Sequence, residues 1–416
     1  MYTVHFSIKI HGHVVNNSSK MYNRNMIKRK IEDKISEYLD GKDYKIFFIW
    51  GPRRSGKTTV LQNLSKKLGV KIFNFDFQSD SSLFVPTREA LDKIASLGDV
   101  ILIDEVQNYP SATVALKLLH DEYGIKIIAT GSSELRQTTN DFDSLAGRYT
   151  ENYCLPLSIQ EILEYNNPRE IEKDNILNKE SKYQQIYGSY PEIYLSELSE
   201  DAKQDLLSNI IDSFVLKDVI NIYNLKDLKL AKDILTKIAL QLGSEVSLRE
   251  IATSLQANWT TVSNYVEIFV KNYILISLPS FKTNARRAVS ENKKYYFYDL
   301  GLRNALIKDF RDLDLRQDKG AVFENYIVSE IEKIKKSINY NFTTYFYREY
   351  NGKEVDLIIE NYKKEYKAIE IKAHKDIKNI KNIKKVFPLE HTLEVINTDN
   401  YYDKLESLFS EKELSS

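Results

Sequence analysis

One cysteine, Cys154, occurs in 416 residues. A single thiol forms no intramolecular disulfide and builds no thiolate zinc site, so a small buried side chain is expected there. The six histidines are scattered without ligand spacing. No apolar run reaches the ~18 residues that a membrane-spanning helix needs, so no membrane association is expected. The stretch MYTVHFSIKIHGHVVNNSSK lacks the apolar centre of a signal peptide, and a cytoplasmic chain is expected. Nor is there an excess of one charge: 59 Lys and Arg balance 59 Asp and Glu. Attraction to nucleic acid must therefore come from local charge separation, not from the field of the whole molecule.

What is present is length and pattern. The chain is long for one core, and two to four domains are expected. Residues 1–21 carry no pattern and are expected to be a flexible extension, upstream of a natural start at Met21. From Ile27 an amphipathic helix runs to Leu39. Short apolar runs then alternate with helical periodicity: KIFFIW (45–50), KIFNFDF (71–77), DVILIDE (99–105) and IKIIATGS (125–132). That alternation predicts a parallel sheet with helices on both faces. From 157 to 243 the pattern is helical. Residues 247–256 and 259–271 read as two helices joined by a tight turn, with a strand at 293–299. From 320 the order is helix, strands, helix.

Gly51-Pro52-Arg53-Arg54-Ser55-Gly56-Lys57-Thr58, followed by Thr59, fits G-x-x-x-x-G-K-[ST] between a strand and a helix. Glycines let backbone N–H groups curl toward phosphate oxygens, and the helix N-terminus adds its dipole. Lys57 is expected on the β- and γ-phosphates and Thr58 on Mg²⁺. At the end of VILIDE, Asp104 is expected to hold the metal shell and Glu105 to activate the attacking water. Gln107 is a candidate link between nucleotide state and a neighbouring element. Ser132 is either a γ-phosphate sensor or a helix cap. Arg148, in SLAGR, is either an arginine finger or a surface salt-bridge partner.

These motifs, with LIDEVQ, TGSS, LAGRY, PLSIQE, YGSYPEIY (187–194) and YFYDLGL (296–302), resemble a large group of prokaryotic P-loop ATPases of the AAA superfamily, DExX-box type. The likeness runs from about residue 22 to 372. Ser189 stands where a second glycine is expected. The resemblance implies ATP rather than GTP, a winged helix after the core, and a C-terminal restriction-endonuclease-like domain.

In the middle region, TTVSNYVEIF lies where a recognition helix would, exposing Thr260, Thr261, Ser263 and Asn264. FKTNARRAVSENKK (281–294), with Lys282, Arg286, Arg287, Lys293 and Lys294, is expected as a wing lying on phosphates, or else as a protein-docking element. In the C-terminal region, Glu324 lies on an amphipathic helix, Asp356 on a strand (EVDLII), and Glu370 and Lys372 on one face of another (AIEIK). Asp356 and Glu370 would offer hard oxygens to Mg²⁺, Glu324 would complete the shell or hold a metal-bound water, and Lys372 would orient the attacking water or stabilise the pentavalent phosphate. The order Glu, Asp, Glu-x-Lys resembles the restriction-endonuclease-like nucleases, Holliday-junction resolvases among them. The alternative is a half-buried sheet edge, or a fold whose chemistry is unused. Residues 361–385 hold nine lysines against three acids, which suits either phosphates or a solvated helix face.

The expected fold class is therefore α/β and multidomain. A P-loop parallel-sheet ATPase core (22–156) precedes a helical lid (157–225), a winged helix (226–310) and an α/β nuclease-like domain (311–416). The expected function is ATP and Mg²⁺ binding with hydrolysis, acting on DNA, possible homo-oligomers included. ATP would gate metal-dependent cutting, or else operate a switch with an inert nuclease-like domain.

Overall fold

The computed structural model describes residues 26–42, 45–131, 145–216, 227–282, 293–338, 342–349, 352–373 and 386–408. The extension at 1–21, Ser132, Arg286, Arg287 and the lysine-rich run at 375–385 lie outside them.

The N-terminal region follows from one strand. In β1 (Ile46–Trp50) all five residues are buried. Strand side chains alternate, so the two sides of this apolar run feed two cores. Phe47 and Ile49 meet α1 (Lys30–Asp40) and α2 (Lys57–Leu68) through Ile31, Ile35, Val60 and Leu64. Ile46, Phe48 and Trp50 meet α3 (Arg88–Ala95) and α4 (Ala112–Tyr123) through Leu91, Ile94, Leu116 and Leu119. Each such side chain contributes about 1.5–3 kcal/mol on full burial. With β2 (Ile72–Asn74), β3 (Val100–Asp104), β4 (Lys126–Gly131) and β5 (Tyr149–Tyr153), the order is β2-β3-β4-β1-β5, every pair parallel. All strand C-termini therefore open on one edge. The strand expected at 71–77 stops at Asn74. Beyond it Phe75 packs edge-on against Phe84 at 5.0 Å, and a short helical turn follows.

Helices α5 (Ile159–Asn166), α6 (Glu170–Tyr187) and α7 (Glu200–Ile210) come next, with a single helical turn at Pro191–Tyr194, then α8 (Leu228–Ala239). The sequence-expected helix pair is α9 (Leu248–Ser254) and α10 (Trp259–Lys271). Ser247 caps the first by accepting from Glu250 N, and Asn258 caps the second by accepting from Thr260 N at 2.8 Å. Around them β6 (Glu245–Val246), β7 (Leu275–Leu278) and β8 (Lys293–Phe297) form an antiparallel sheet in the order β6-β8-β7. After α11 (Leu300–Ile307) comes the longest helix, α12 (Lys319–Ile338). It packs on a sheet of β9 (Thr343–Arg348), β10 (Glu354–Glu360), β11 (Tyr366–Lys372) and β12 (His391–Asn397), in the order β12-β11-β10-β9, and on α13 (Tyr401–Leu408). The protein is thus α/β, with a parallel-sheet core and additional helical and sheet regions. No helix among the described residues is long and apolar enough to cross a membrane.

One apolar cluster crosses the expected boundaries near 225 and 310. It joins Leu157, Ile159 and Leu177 to Ile234, Val262, Phe269 and Phe297, and these to Val322, Tyr326 and Ile331 of α12. A helix buried on nearly every side must satisfy its polar groups internally. Asn325 exchanges two 2.8 Å hydrogen bonds with the backbone of Phe297. Glu330 accepts from Ile159 N at 2.8 Å and from Lys333 at 2.8 Å. Lys333 also donates to the Leu157 carbonyl and to Ser189 Oγ, both at 3.1 Å. Ser189, the departure from the family pattern, is thereby a link between α12 and the loop that follows α6.

Candidate functional site

The open edge of the parallel sheet carries the phosphate-binding loop. Gly51 follows β1 directly and runs against the Cys154 backbone; a Cβ there would lie 2.0 Å from the Cys154 carbonyl oxygen. Gly56 begins α2 with φ 98°, a left-handed conformation that glycine adopts without a Cβ clash. Between them Ser55 Oγ donates to the Pro52 carbonyl at 2.8 Å. Lys57 is only 5% exposed, and its Nζ donates to the carbonyls of Gly51 and Pro52, both at 2.9 Å. Burial pulls this ammonium below its ordinary pKa, opposed chiefly by Glu105. Replacing Gly51 by alanine is expected to destabilise the fold by about 1–3 kcal/mol, because backbone and not a side chain must yield. Denaturant melts of the variant measure this.

Across the loop, β3 ends on Asp104. Burial raises its pKa, opposed by hydrogen bonds from Thr130 and Thr58. Glu105 follows with φ 55° and ψ 47°, a left-handed position that a non-glycine residue occupies at a cost. Its N–H donates to Thr130 Oγ1 at 3.4 Å, and Gln107 donates to its carboxylate. A cleft of about 590 Å³ lies over these groups. Lys57, Thr58, Thr59, Glu105, Arg53 and Arg54 line its polar part, and Met26, Ile27, Leu157, Pro191 and Leu195 its apolar part. That volume and mixture suit a nucleotide-sized ligand. Thr58 and Asp104 supply a hydroxyl and a carboxylate, hard oxygens that fit Mg²⁺. Arg54 pairs with Glu192 at 2.5 Å, tying the loop to the YGSYPE segment. Arg148 stands at the start of β5, its Nε 2.9 Å from both carboxylate oxygens of Asp121, outside the residues lining the cleft.

A residue without a sequence signal is Arg29. Its buried guanidinium spans the loop, the strand end and the N-terminus of α5. Nε donates to Glu161 at 2.9 Å, Nη2 to the Leu155 carbonyl at 2.5 Å, and Nη1 to the Ser55 carbonyl. Glu161 closes a capping box with Ser158 and also accepts from Lys30 N at 2.9 Å. Burial alone would raise its pKa. The charge and hydrogen bond of Arg29, with the N–H groups of Ser158 and Lys30, instead bring it below its ordinary value. The Ser158-x-x-Glu161 spacing inside PLSIQE could have signalled this acid.

The second set, on the C-terminal sheet, is brought together. Asp356 Oδ2 accepts from Ile371 N at 2.8 Å, and Lys372 lies 2.5 Å from Glu370 and 3.9 Å from Asp356. Burial foremost, then Glu324 and Glu370, raises the Asp356 pKa. Glu324, however, accepts from Lys294 at 3.1 Å and from the Tyr296 hydroxyl at 2.5 Å. Lys294 is not on a phosphate-facing wing; it is 1% exposed, because β8 packs against α12 and turns this side chain inward. Two ammonium groups therefore stand among the acids. Among the described residues, no group of three or more His, Cys, Asp or Glu is arranged to hold a metal ion. The nuclease-like set as arranged does not fit a divalent cation.

Residues 43–163 match the AAA domain family. That stretch has an AAA-type P-loop fold. Residues 178–316 and 319–410 match two domains of unknown function (DUF8612 and DUF4143). Similar to most of the chain is an uncharacterized protein of Methanocaldococcus jannaschii, 28% identical over 396 residues, covering 86% of this chain and 85% of the other. An uncharacterized protein of Haemophilus influenzae is 25% identical over 297 residues, covering 66% and 73%. Among solved structures, a Walker-type ATPase of Pyrococcus abyssi is similar at 15% identity and a TM-score of 0.48, covering 68% of this chain and 97% of that one.

Proposed function

We propose that this ATPase hydrolyses Mg-ATP and acts on DNA as a nucleotide-operated switch, its C-terminal nuclease-like domain responding to nucleotide state. The observation that carries the reading is the meeting of Lys57, Thr58 and Glu105 around one cleft, with Asp104 hydrogen-bonded to Thr58. The backbone from Gly51 to Thr59 cradles the phosphates and Lys57 neutralises them. Thr58 and Asp104 would hold Mg²⁺, which when bound supplies charge neutralisation at the phosphate oxygens. Glu105 orients and deprotonates the attacking water, and Gln107 holds its carboxylate. Arg148 completes a site only if a second copy presents it.

DNA contact is supported by the α9–α10 layout, which fits a winged helix over residues 226–310. Trp259 at the start of α10 is 48% exposed, and the Arg249 guanidinium lies 6.0 Å from its ring centroid. Gated cutting remains the second reading. In its favour, Glu370 and Lys372 lie side by side next to Asp356; against it stands Lys294.

The test is ATP turnover with and without duplex DNA, on wild type, Lys57→Ala and Trp259→Ala. The expected result is loss of turnover in Lys57→Ala, stimulation by DNA in wild type, and weaker stimulation in Trp259→Ala. Turnover surviving in Lys57→Ala sinks the hydrolysis reading; DNA without effect on turnover or on fluorescence anisotropy sinks the DNA reading.

A further inference from the structure

Lys294 is buried where an apolar residue would cost less. Removing an ammonium from water costs several kcal/mol unless partners surround it. Here the side chain is 2% exposed, Nζ lies 3.1 Å from Glu324, and Glu354 completes a second ion pair. The Phe346 ring is 5.6 Å away. Glu354 and Asp356 are two residues apart on β10, and the charges of both act on the Lys294 ammonium. Glu370 stands beside them on the neighbouring β11. Glu370 is 6% exposed, and its Oε2 has no hydrogen-bond partner, an oxygen presented to this cluster and left unsatisfied.

The cover over these acids comes from the three-stranded sheet and the turn that enters it. Lys294 and Tyr296 are on β8. Gly243, just before β6, approaches so closely that a Cβ would meet Ala321 at 3.1 Å and Glu324 Oε2 at 3.4 Å. Glu245 of β6 pairs with Arg348 of β9 at 3.3 Å. The acids belong to the C-terminal domain, and the cation that neutralises them belongs to the middle one.

We propose that Lys294 is a built-in cation plug: its ammonium holds the position among Glu324, Glu354 and Asp356 that a divalent metal would need, and the cluster accepts a metal only when β8 withdraws it. The inference rests on the nuclease-like reading of Glu324, Asp356 and Glu370, and not on the ATPase reading. It makes the seating of the three-stranded sheet on α12 the regulated event. The partner released or admitted is a divalent cation of the Mg²⁺ or Mn²⁺ class, bound by carboxylate oxygens.

The test is a Mn²⁺ titration of the nucleotide-free full chain, followed by electron paramagnetic resonance and by thermal melting. Wild type, Lys294→Met, Lys294→Gln, Lys294→Arg and the double variant Lys294→Met with Asp356→Asn are compared. Expected is a Mn²⁺ site in the Met and Gln variants that Asp356→Asn removes. That site is absent from wild type and Lys294→Arg, and Mn²⁺ raises the melting temperature only where it forms. A Met or Gln variant that folds only with Mn²⁺ supports the same conclusion. An Asp356-dependent Mn²⁺ site already in wild type overturns the plug while keeping the nuclease-like reading. Met and Gln variants that bind no Mn²⁺, or fold neither with it nor without it, overturn the plug and the metal reading together.

Discussion

Glu105→Gln is expected to bind ATP within a few-fold of wild type and to turn it over about 10²–10⁴-fold more slowly. Glutamine keeps the shape of the side chain and its contact with Gln107 but cannot take a proton from water. Equilibrium binding and single-turnover hydrolysis separate the two effects, and turnover within tenfold of wild type would remove Glu105 from the chemistry. The backbone adds a second arm. Glu105 sits at φ 55°, and relieving a left-handed L-residue with glycine is worth about 1 kcal/mol. Glu105→Gly is therefore expected to be as slow as Glu105→Gln yet to unfold at higher denaturant. A variant that loses activity while gaining stability marks strain held for function rather than for the fold.

Glu161→Ala is expected to destabilise the protein by about 3–5 kcal/mol, since it strands the buried Arg29 guanidinium without its counter-ion. Nucleotide affinity should fall with it, because Arg29 also holds the Ser55 carbonyl within the phosphate loop. Urea melts and nucleotide titration read the two losses. The pH dependence has a definite sign. Glu161 has a folded pKa below its ordinary value, so its contribution is fully present above the ordinary carboxylate range and is lost as pH falls through the folded value. Between neutrality and about pH 3, wild-type stability should fall more steeply than that of Glu161→Gln, which has no such group to titrate. Parallel slopes would refute the assignment.

The parts of this protein that sequence made legible are the local ones. The phosphate loop, the apolar run ending in Asp104 and the helix pair joined by a tight turn each rest on residues within a few positions of one another. The pair Arg29–Glu161 does not: 132 positions separate its members, and no periodicity ties them. Lys294 was misleading for a different reason. KK before YYFYD reads as the end of a phosphate-facing wing, but alternation sends adjacent lysines to opposite faces, and only the packing of β8 on α12 decides which one is buried. The nuclease-like residues were recognised as a set, whereas the ammonium among them comes from another region of the chain. The domain boundaries placed near 225 and 310 followed changes in pattern, and the apolar cluster running through both follows contacts that pattern does not encode.

The burial of α12 has a consequence for synthesis of the chain. The parallel-sheet region carries its own two apolar layers and can consolidate once β5 has left the ribosome. The helical region from residue 157 emerges next, but Leu157, Ile159 and the Leu157 carbonyl have their counterpart in α12. At ribosomal speeds that counterpart arrives roughly ten to thirty seconds later. For that interval an already folded parallel-sheet core trails an apolar surface whose cover in α12 has yet to arrive, so the nascent helical region is the segment on which chaperones and proteases would act.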